Sequence, residues 1–186
     1  MANFNNDGES TVKKYIGLVI ITLLIGILIW ENSMSTNEKR PLNKATNEES
    51  SRVVKATDFT LQALDQQQYS LSDSQGKWTI VNFWASWCEP CKMEAPHLQR
   101  LYEEYHDQLE ILAVNITKKD TRKDVQEFVN RNELTFPVLF DEQGDVSMMY
   151  GAFTIPTTIF IDEKGNIKHE FVGPMEESFI IDLLSL

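Results

Sequence analysis

Apolar residues form one long uninterrupted run near the start of the chain and several shorter runs after residue 53. The first run, residues 15–30, contains no charged side chain. As a helix it would cover roughly 24 Å at about 1.5 Å per residue, slightly less than the hydrocarbon core of a bilayer. Tyr15 and Trp30 lie at its ends, where aromatic side chains favour the headgroup region. The pattern predicts a transmembrane anchor at residues 15–30 behind a cytoplasmic tail, residues 1–14.

A cleaved secretory signal peptide is the alternative interpretation of this run, although the apolar part of such a peptide is usually shorter. The best small-x-small cleavage candidate is Ser33-Met34-Ser35, and no cysteine directly follows the run to carry a lipid anchor. Lys13 and Lys14 border the run on its N-terminal side, which favours a cytoplasmic N-terminus, while the basic residues beyond its other end lie further away. We expect a single-pass signal-anchor in the cell membrane with the C-terminal domain on the extracytoplasmic side.

The composition of the chain changes at residue 53. Residues 31–52 are polar and contain too few large apolar side chains to order themselves, which predicts a flexible linker. Residues 53–186 have the composition of one packed domain. They hold the whole net charge of −11, because eleven basic and twenty-two acidic side chains lie there. So acidic a domain lacks the basic surface that nucleic-acid binding requires, and an anionic membrane surface would repel it.

Within this domain, stretches of β-forming residues predict two hairpins and three buried strands. The first hairpin is predicted at residues 59–64 and 68–72, the buried strands at 79–85, 110–116 and 136–140, and the final hairpin at 157–162 and 167–173. Helical periodicity alternates with the buried strands and predicts helices at 89–105, 121–132, 145–151 and 176–186. This order predicts an α/β fold, a central mixed sheet with helices on both faces.

The spacing of apolar residues also predicts which side of each helix is buried. In the first helix the predicted inward residues are Met93, Leu98, Leu101 and Tyr105, and Pro96 is expected to kink the helix. In the second they are Val125, Phe128 and Val129, and in the last they are Phe179, Ile180, Leu183 and Leu184.

The two cysteines of the chain, Cys88 and Cys91, lie where a buried strand is predicted to pass into a helix. This junction places the first sulfur at a helix N-terminus, where free N–H groups and the helix dipole stabilise a thiolate. The second sulfur lies one turn further along. The spacing therefore predicts a redox-active dithiol in which Cys88 attacks and Cys91 resolves the mixed disulfide. A structural disulfide is the alternative, but it would close a very small loop and constrain the unfolded chain little.

Metal and haem sites are not indicated by the sequence. Two cysteines cannot complete a four-sulfur zinc site, and the three histidines, His97, His106 and His169, lack the spacing of zinc ligands. Lys92 directly follows the cysteine pair, where covalent haem attachment requires a histidine. We therefore expect no cofactor.

Two glutamates accompany the cysteines. Glu89 lies between them, and an ionised carboxylate there would disfavour the Cys88 thiolate and thus the reduced form, so the pair is predicted to donate electrons. Glu94 lies three residues after Cys91, on the same side of the predicted helix. It could accept the proton that Cys91 loses on resolving the mixed disulfide. A solvated helix charge is the alternative interpretation of Glu94.

The stretch VNFWASWCEPCKMEAP, residues 81–96, resembles the active site of thioredoxins, and TIPTT, residues 154–158, resembles their second signature. The resemblance covers about residues 53–186 and implies a thioredoxin-like fold. In that family the proline matching Pro156 is cis and faces the disulfide, with Gly173 beside the same groove. The resemblance implies a site whose redox-tuning and groove residues are Glu89, Pro90, Trp87, Ile155 and Pro156, around the catalytic residues Cys88, Cys91 and Glu94.

Two departures distinguish the chain from ordinary thioredoxins. Asn82 replaces their buried aspartate and cannot shuttle a proton, and Glu94 occupies a position that is apolar there. Together with the N-terminal apolar run, these make the chain similar to the membrane-anchored ResA and TlpA-like thiol-disulfide oxidoreductases, which carry Cys-Glu-Pro-Cys and a matching glutamate. The resemblance implies an extracytoplasmic protein-disulfide reductase, often acting on apocytochrome c in cytochrome c-type biogenesis. It also implies two partners, a disulfide-containing protein substrate and a membrane electron donor of the thiol-disulfide type.

Two other functions are alternatives to this one. A peroxidase-like antioxidant protein would need proline and threonine seven and three residues before its cysteine, where Val81 and Ala85 stand. A copper-delivery protein with a thioredoxin fold would use paired cysteines with a remote histidine ligand, and the tight Cys-x-x-Cys spacing argues against it.

Overall fold

The computed structural model describes residues 21–27 and 53–186. The chain divides into two units, Met1–Ser51 and Arg52–Leu186. In the first, residues 21–27 are helical with exposed side chains. The predicted tail and the predicted linker lie outside the described residues, as does most of the predicted anchor. Within the described ranges, no helix has the length and apolar character needed to cross a bilayer.

The second unit contains eight strands and four α-helices among its described residues. The strands are β1 (Val54–Lys55), β2 (Thr60–Gln62), β3 (Gln68–Ser70), β4 (Trp78–Trp84), β5 (Leu109–Asn115), β6 (Val138–Phe140), β7 (Thr157–Ile161) and β8 (Asn166–Val172). The helices are α1 (Glu89–Tyr105), α2 (Arg122–Asn132), α3 (Asp145–Met149) and α4 (Glu177–Leu184). The predicted hairpins, buried strands and helices are confirmed with small shifts of their ends, while the short edge strand β1 was not predicted.

Six strands form a mixed sheet in the order β1-β8-β7-β4-β5-β6. β4, β5 and β6 run parallel, β7 pairs antiparallel with β4, and β8 pairs antiparallel with β7. β2 and β3 form the separate first hairpin, which meets the edge of the main sheet through a bridge between Ala63 and Leu139. β4 is buried along nearly its whole length because β5 and β7 flank it and core layers cover both of its faces, which explains its nearly continuous apolar sequence.

Side chains alternate across β4 and so divide the core into two layers. Ile80 and Trp84 face the layer that packs against α1, α2 and α4, where the Trp84 ring lies 4.6 Å from the ring of Phe128. Val81 and Phe83 face the other layer, which the first hairpin and α3 cover. The prediction of helices on both faces is confirmed. The cysteines belong to the first layer.

Some predicted inward positions are wrong. Met93 is exposed, because the buried side of α1 follows Cys91, Glu94, Ala95, Leu98 and Leu101. In α4, Ile180 and Leu184 are buried, whereas Leu183 is half-buried and Phe179 is exposed. Phe179 packs its ring 5.3 Å from that of Phe171 on β8, so it covers the rim of the layer. The predicted inward side of α2 is confirmed.

Candidate active site

The cysteine pair occupies the start of α1. Cys88 is the residue before the first helical turn and has an extended backbone, while Glu89 and Pro90 form the first two helical positions. Proline is favoured there because its missing N–H would have no partner in the first turn. The Cys91 N–H points back at Cys88 and lies 3.3 Å from its Sγ. A helix N-terminus therefore faces the first sulfur, as the sequence predicted.

The two cysteines form a disulfide with an S–S distance of 2.09 Å. Both residues are buried, with 4% and 3% of their surfaces exposed. A buried pair on one turn of a rigid helix keeps the two sulfurs within bonding reach. The disulfide is thus consistent with a reversible dithiol couple.

A loop before β7 lies against Cys88. The peptide bond between Ile155 and Pro156 is cis, and the Ile155 carbonyl oxygen lies 3.8 Å from the Cys88 Sγ. Gly173 donates its N–H to the Pro156 oxygen at 2.9 Å and has a φ of 119°, a conformation that favours glycine. The structure therefore brings together the two sequence signatures and Gly173, which are far apart in the chain.

Trp87 and Glu89 face the outside of the site. Trp87 is 55% exposed and donates its indole N–H to the Lys119 carbonyl oxygen at 2.7 Å. The Glu89 carboxylate lies 2.9 Å from the Lys92 ammonium in an exposed ion pair. Sequence reasoning did not pair Lys92 with Glu89, so this contact was missed.

Glu94 lies on the inner side of the site, with only 1% of its surface exposed. The amide nitrogen of Asn82 donates to Glu94 Oε2 at 3.1 Å and to Thr158 Oγ1 at 2.9 Å. This network joins α1, β4 and β7. The solvated-charge interpretation of Glu94 is wrong, because helix periodicity turns this position into the core.

The environment changes the acidity of Glu94. Burial raises the pKa of Glu94 from its ordinary value of 4.5 to about 7, although hydrogen bonds from Asn82 and the Met175 backbone lower it. A carboxyl with a pKa near 7 can both accept and release a proton at neutral pH. Asn82, the hydrogen-bond partner of Glu94, and Cys91 also line one small cavity of about 10 Å³. Asn82 therefore connects the buried carboxyl of Glu94 to the cavity that Cys91 lines.

Sequence reasoning missed Asp120, which lies in the loop between β5 and α2. Its carboxylate accepts hydrogen bonds from the N–H and hydroxyl of Ser86 at 2.6 and 2.7 Å. Neither the spacing nor the periodicity of the chain marks this residue, because its contact depends on how two loops meet at one edge of the sheet.

Known proteins resemble both the sequence and the fold. The AhpC/TSA family matches residues 54–170. Thioredoxin-like protein YneN of Bacillus subtilis is 35% identical over 94% of this chain and 99% of its own length. Thiol-disulfide oxidoreductase ResA of Geobacillus thermodenitrificans is 40% identical over 67% of this chain and 71% of its own. The crystal structure of StoA from Bacillus subtilis superposes with a TM-score of 0.62 and 32% identity, covering 69% of this chain and 96% of that one.

These matches agree with the geometry at the start of α1. The family match spans more than half of the chain, and relatives at least 30% identical, each covered over more than two thirds of its length, are named for a thioredoxin-like character or for thiol-disulfide oxidoreduction. The chain therefore belongs to the AhpC/TSA family, as a thioredoxin-like thiol-disulfide oxidoreductase.

Proposed function

We propose that this protein is an extracytoplasmic reductase of protein disulfides. The observation that carries the proposal is the buried Glu94 carboxyl one helical turn beyond Cys91, with a pKa near 7 and no cation in its described hydrogen-bond network. Such a group suits the step in which a buried thiol must lose its proton. Asn82, at the position where thioredoxins carry an acid, holds this carboxyl by a hydrogen bond rather than exchanging a proton itself.

The reaction runs in two exchange steps. The Cys88 thiolate attacks one sulfur of the substrate disulfide, forming a mixed disulfide and releasing the other substrate sulfur as a thiolate, which takes a proton from solvent. Cys91 then gives its proton to Glu94 and attacks the Cys88 Sγ. The Cys88–Cys91 disulfide forms, and the second substrate sulfur leaves as a thiolate. The substrate gains two electrons, and the protein is oxidised to the form seen in the structure.

The direction of electron flow follows from the charges around Cys88. The N-terminus of α1 stabilises its thiolate, while Glu89 opposes this and Lys92 partly neutralises Glu89. A thiolate that is only weakly stabilised favours the disulfide form, and hence electron donation. We expect a reduction potential near the roughly −270 mV of thioredoxin. A measured value above about −180 mV, the region of the isomerases, contradicts the reductase assignment.

The compartment and partners belong to the same proposal. The apolar run at residues 15–30 supports a membrane anchor, and the basic residues before it support an extracytoplasmic domain. Outside the cytoplasm the oxidised protein needs a membrane electron donor of the thiol-disulfide type to regenerate its dithiol. Protease added to spheroplasts should digest the domain. A domain that resists until the membrane is broken contradicts this orientation.

Apocytochrome c is the first substrate to test, because the sequence resemblance points to cytochrome c maturation. Cys91→Ser removes the resolving thiol and should hold the substrate as a mixed disulfide on Cys88. Cys88→Ser is the matched control and should trap nothing. Mass spectrometry of the trapped species identifies the substrate. Trapped proteins without a cysteine pair that could form a disulfide would contradict the assignment.

The described residues give no support to the two alternatives. The described hydrogen bonds of His97 are with Arg100 and the backbone N–H of Glu177. Val81 and Ala85, which stand where a peroxidase would need proline and threonine, are fully buried in the two core layers.

A further inference from the structure

The two residues before Cys88 are held from outside their own segment. Ser86 and Trp87 connect the end of β4 to the start of α1, and both bond to the loop that follows β5. This loop contains a 3-10 turn at Thr117–Lys119 and ends at Asp120, which directly precedes Thr121, the N-cap residue of α2. One loop therefore fixes the approach to the attacking cysteine.

The Asp120 carboxylate is the centre of this contact. Oδ2 accepts from the Ser86 N–H at 2.6 Å and from the buried Asn115 amide at 2.9 Å. Oδ1 accepts from the Ser86 hydroxyl at 2.7 Å and from the Thr121 N–H at 2.8 Å. Four donors directed at two oxygens fit a carboxylate and no other side chain, since an asparagine amide would turn its own N–H groups toward two of these donors.

Trp87 adds a third hydrogen bond to the same loop. The Trp87 indole donates to the carbonyl oxygen of Lys119, the residue before Asp120, at 2.7 Å. Ser86 and Trp87 thus make three hydrogen bonds to two consecutive residues. Hydrogen bonds to a charged acceptor are shorter and stronger than neutral ones, so Asp120 dominates this set.

We propose that Asp120 is a positioning residue for Cys88 and lowers the reduction potential of the Cys88–Cys91 couple. This inference rests on the proposed function of the same site. By fixing Ser86 and Trp87, Asp120 keeps the Cys88 sulfur beside Cys91 and so raises the effective concentration of one thiol at the other. Asp120 also places a negative charge against Ser86, two residues before Cys88, and this charge disfavours the Cys88 thiolate. Both effects favour the disulfide, and both disappear when Asp120 is replaced.

The test is the exchange equilibrium of the full-length protein with dithiothreitol, read from the oxidised fraction after alkylation. Asp120→Asn should shift the equilibrium toward the reduced protein by about tenfold, which corresponds to about 30 mV. Asp124→Asn is the matched control. Asp124 is an exposed acid that lines the same surface recess as Ser86 and Trp87 but makes no contact with either among the described hydrogen bonds. Its replacement should shift the equilibrium by less than about twofold.

Ser86→Ala separates positioning from charge, and it serves also if Asp120→Asn fails to fold. It removes one bond to Asp120 and leaves the charge, so it should shift the equilibrium in the same direction by about two- to threefold. No shift in Ser86→Ala contradicts positioning. A lower melting temperature with an unchanged equilibrium in both variants would reduce Asp120 to a structural role. The wild type provides the separate check, because a wild-type pair that does not exchange reversibly overturns the proposed function itself.

Discussion

The two sides of the disulfide carry the same type of side chain in opposite environments. Glu89 on the outer side has 76% of its side chain exposed and pairs with Lys92, whereas Glu94 on the inner side is 1% exposed and bonds only to neutral groups. Water and a nearby cation screen the charge of the first carboxylate. Burial instead raises the pKa of Glu94 to about 7. Glu89 and Glu94 lie only five residues apart on one helix. The first can influence the reduction potential of the cysteine pair only weakly, whereas the second can carry a proton.

The largest effect that tests this difference is kinetic. Glu94→Gln keeps the shape and the acceptor for Asn82 but cannot take a proton. Resolution of a mixed disulfide by Cys91 should slow by roughly 10²- to 10⁴-fold, the contribution of a positioned acid or base. Attack by Cys88 on a model disulfide should change little, because Glu94 lies beyond the second cysteine. Stopped-flow measurement of both steps checks this.

Glu89→Gln is the matched control for that experiment, since it makes the same chemical change on the outer side. It should leave resolution by Cys91 within a few-fold of wild type. If the two variants resolve at equal rates between about pH 6 and pH 9, Glu94 has no proton role and the contrast between the two carboxylates loses its functional meaning.

The next effect is the pH dependence of stability. The pKa of Glu94 is raised in the folded state from 4.5 to about 7, so the folded state binds more protons between these values. Its contribution to stability is fully present below about pH 4.5 and is lost as the pH rises through about 7. The loss amounts to about 3 kcal/mol, since one pKa unit corresponds to about 1.36 kcal/mol.

The measurement is the free energy of unfolding by denaturant at several pH values, for wild type and Glu94→Gln. The difference between the two proteins isolates Glu94 from the other carboxyl groups, among them Asp162, whose pKa is lowered in the folded state. We expect the stability of Glu94→Gln relative to wild type to increase between pH 4.5 and pH 7 and to level off above it. A constant difference would show that the Glu94 carboxyl is hydrated in solution.

The same contrast shows how much of the site could be predicted from the sequence. The strands and most helices follow from local patterns of apolar residues, and the dithiol follows from two cysteines at a strand-to-helix junction. The state of Glu94 did not follow. Because the buried side of α1 includes the carboxyl of Glu94, the apolar residues of this helix do not show a clear helical period. Met93 was therefore predicted to face inward, although it is exposed. An acid can be recognised as buried only when the neutral partners that surround it, here Asn82 and Thr158, are known in space.

Asp120 lies beyond sequence reasoning for a different reason. Its partners are Ser86, in the connection after β4, and Asn115, the last residue of β5, and their approach depends on the parallel pairing of β4 with β5. A local sequence pattern cannot show that this strand pairing brings the two loops together. The edge strand β1 was missed on the same ground, because two exposed residues have no pattern of their own and are ordered by pairing with β8.

The smallest expected effects come from the outer ion pair, and their signs make them informative. Glu89→Gln removes a negative charge near Cys88 and releases Lys92, so the dithiol equilibrium should shift toward the reduced form by up to about threefold. Lys92→Met leaves Glu89 unpaired and should shift it the other way. Both variants should change the free energy of unfolding by less than about 1 kcal/mol, as for exposed ion pairs.

Because the two residues contact each other, the double variant should return close to wild type, with a coupling energy that the double-mutant cycle measures directly. Opposite shifts that weaken in high salt would establish Glu89 as a screened electrostatic group. Shifts of the same sign would mean that the pair acts by fixing the first turn of α1, and that charge on the outer side has no part in setting the potential.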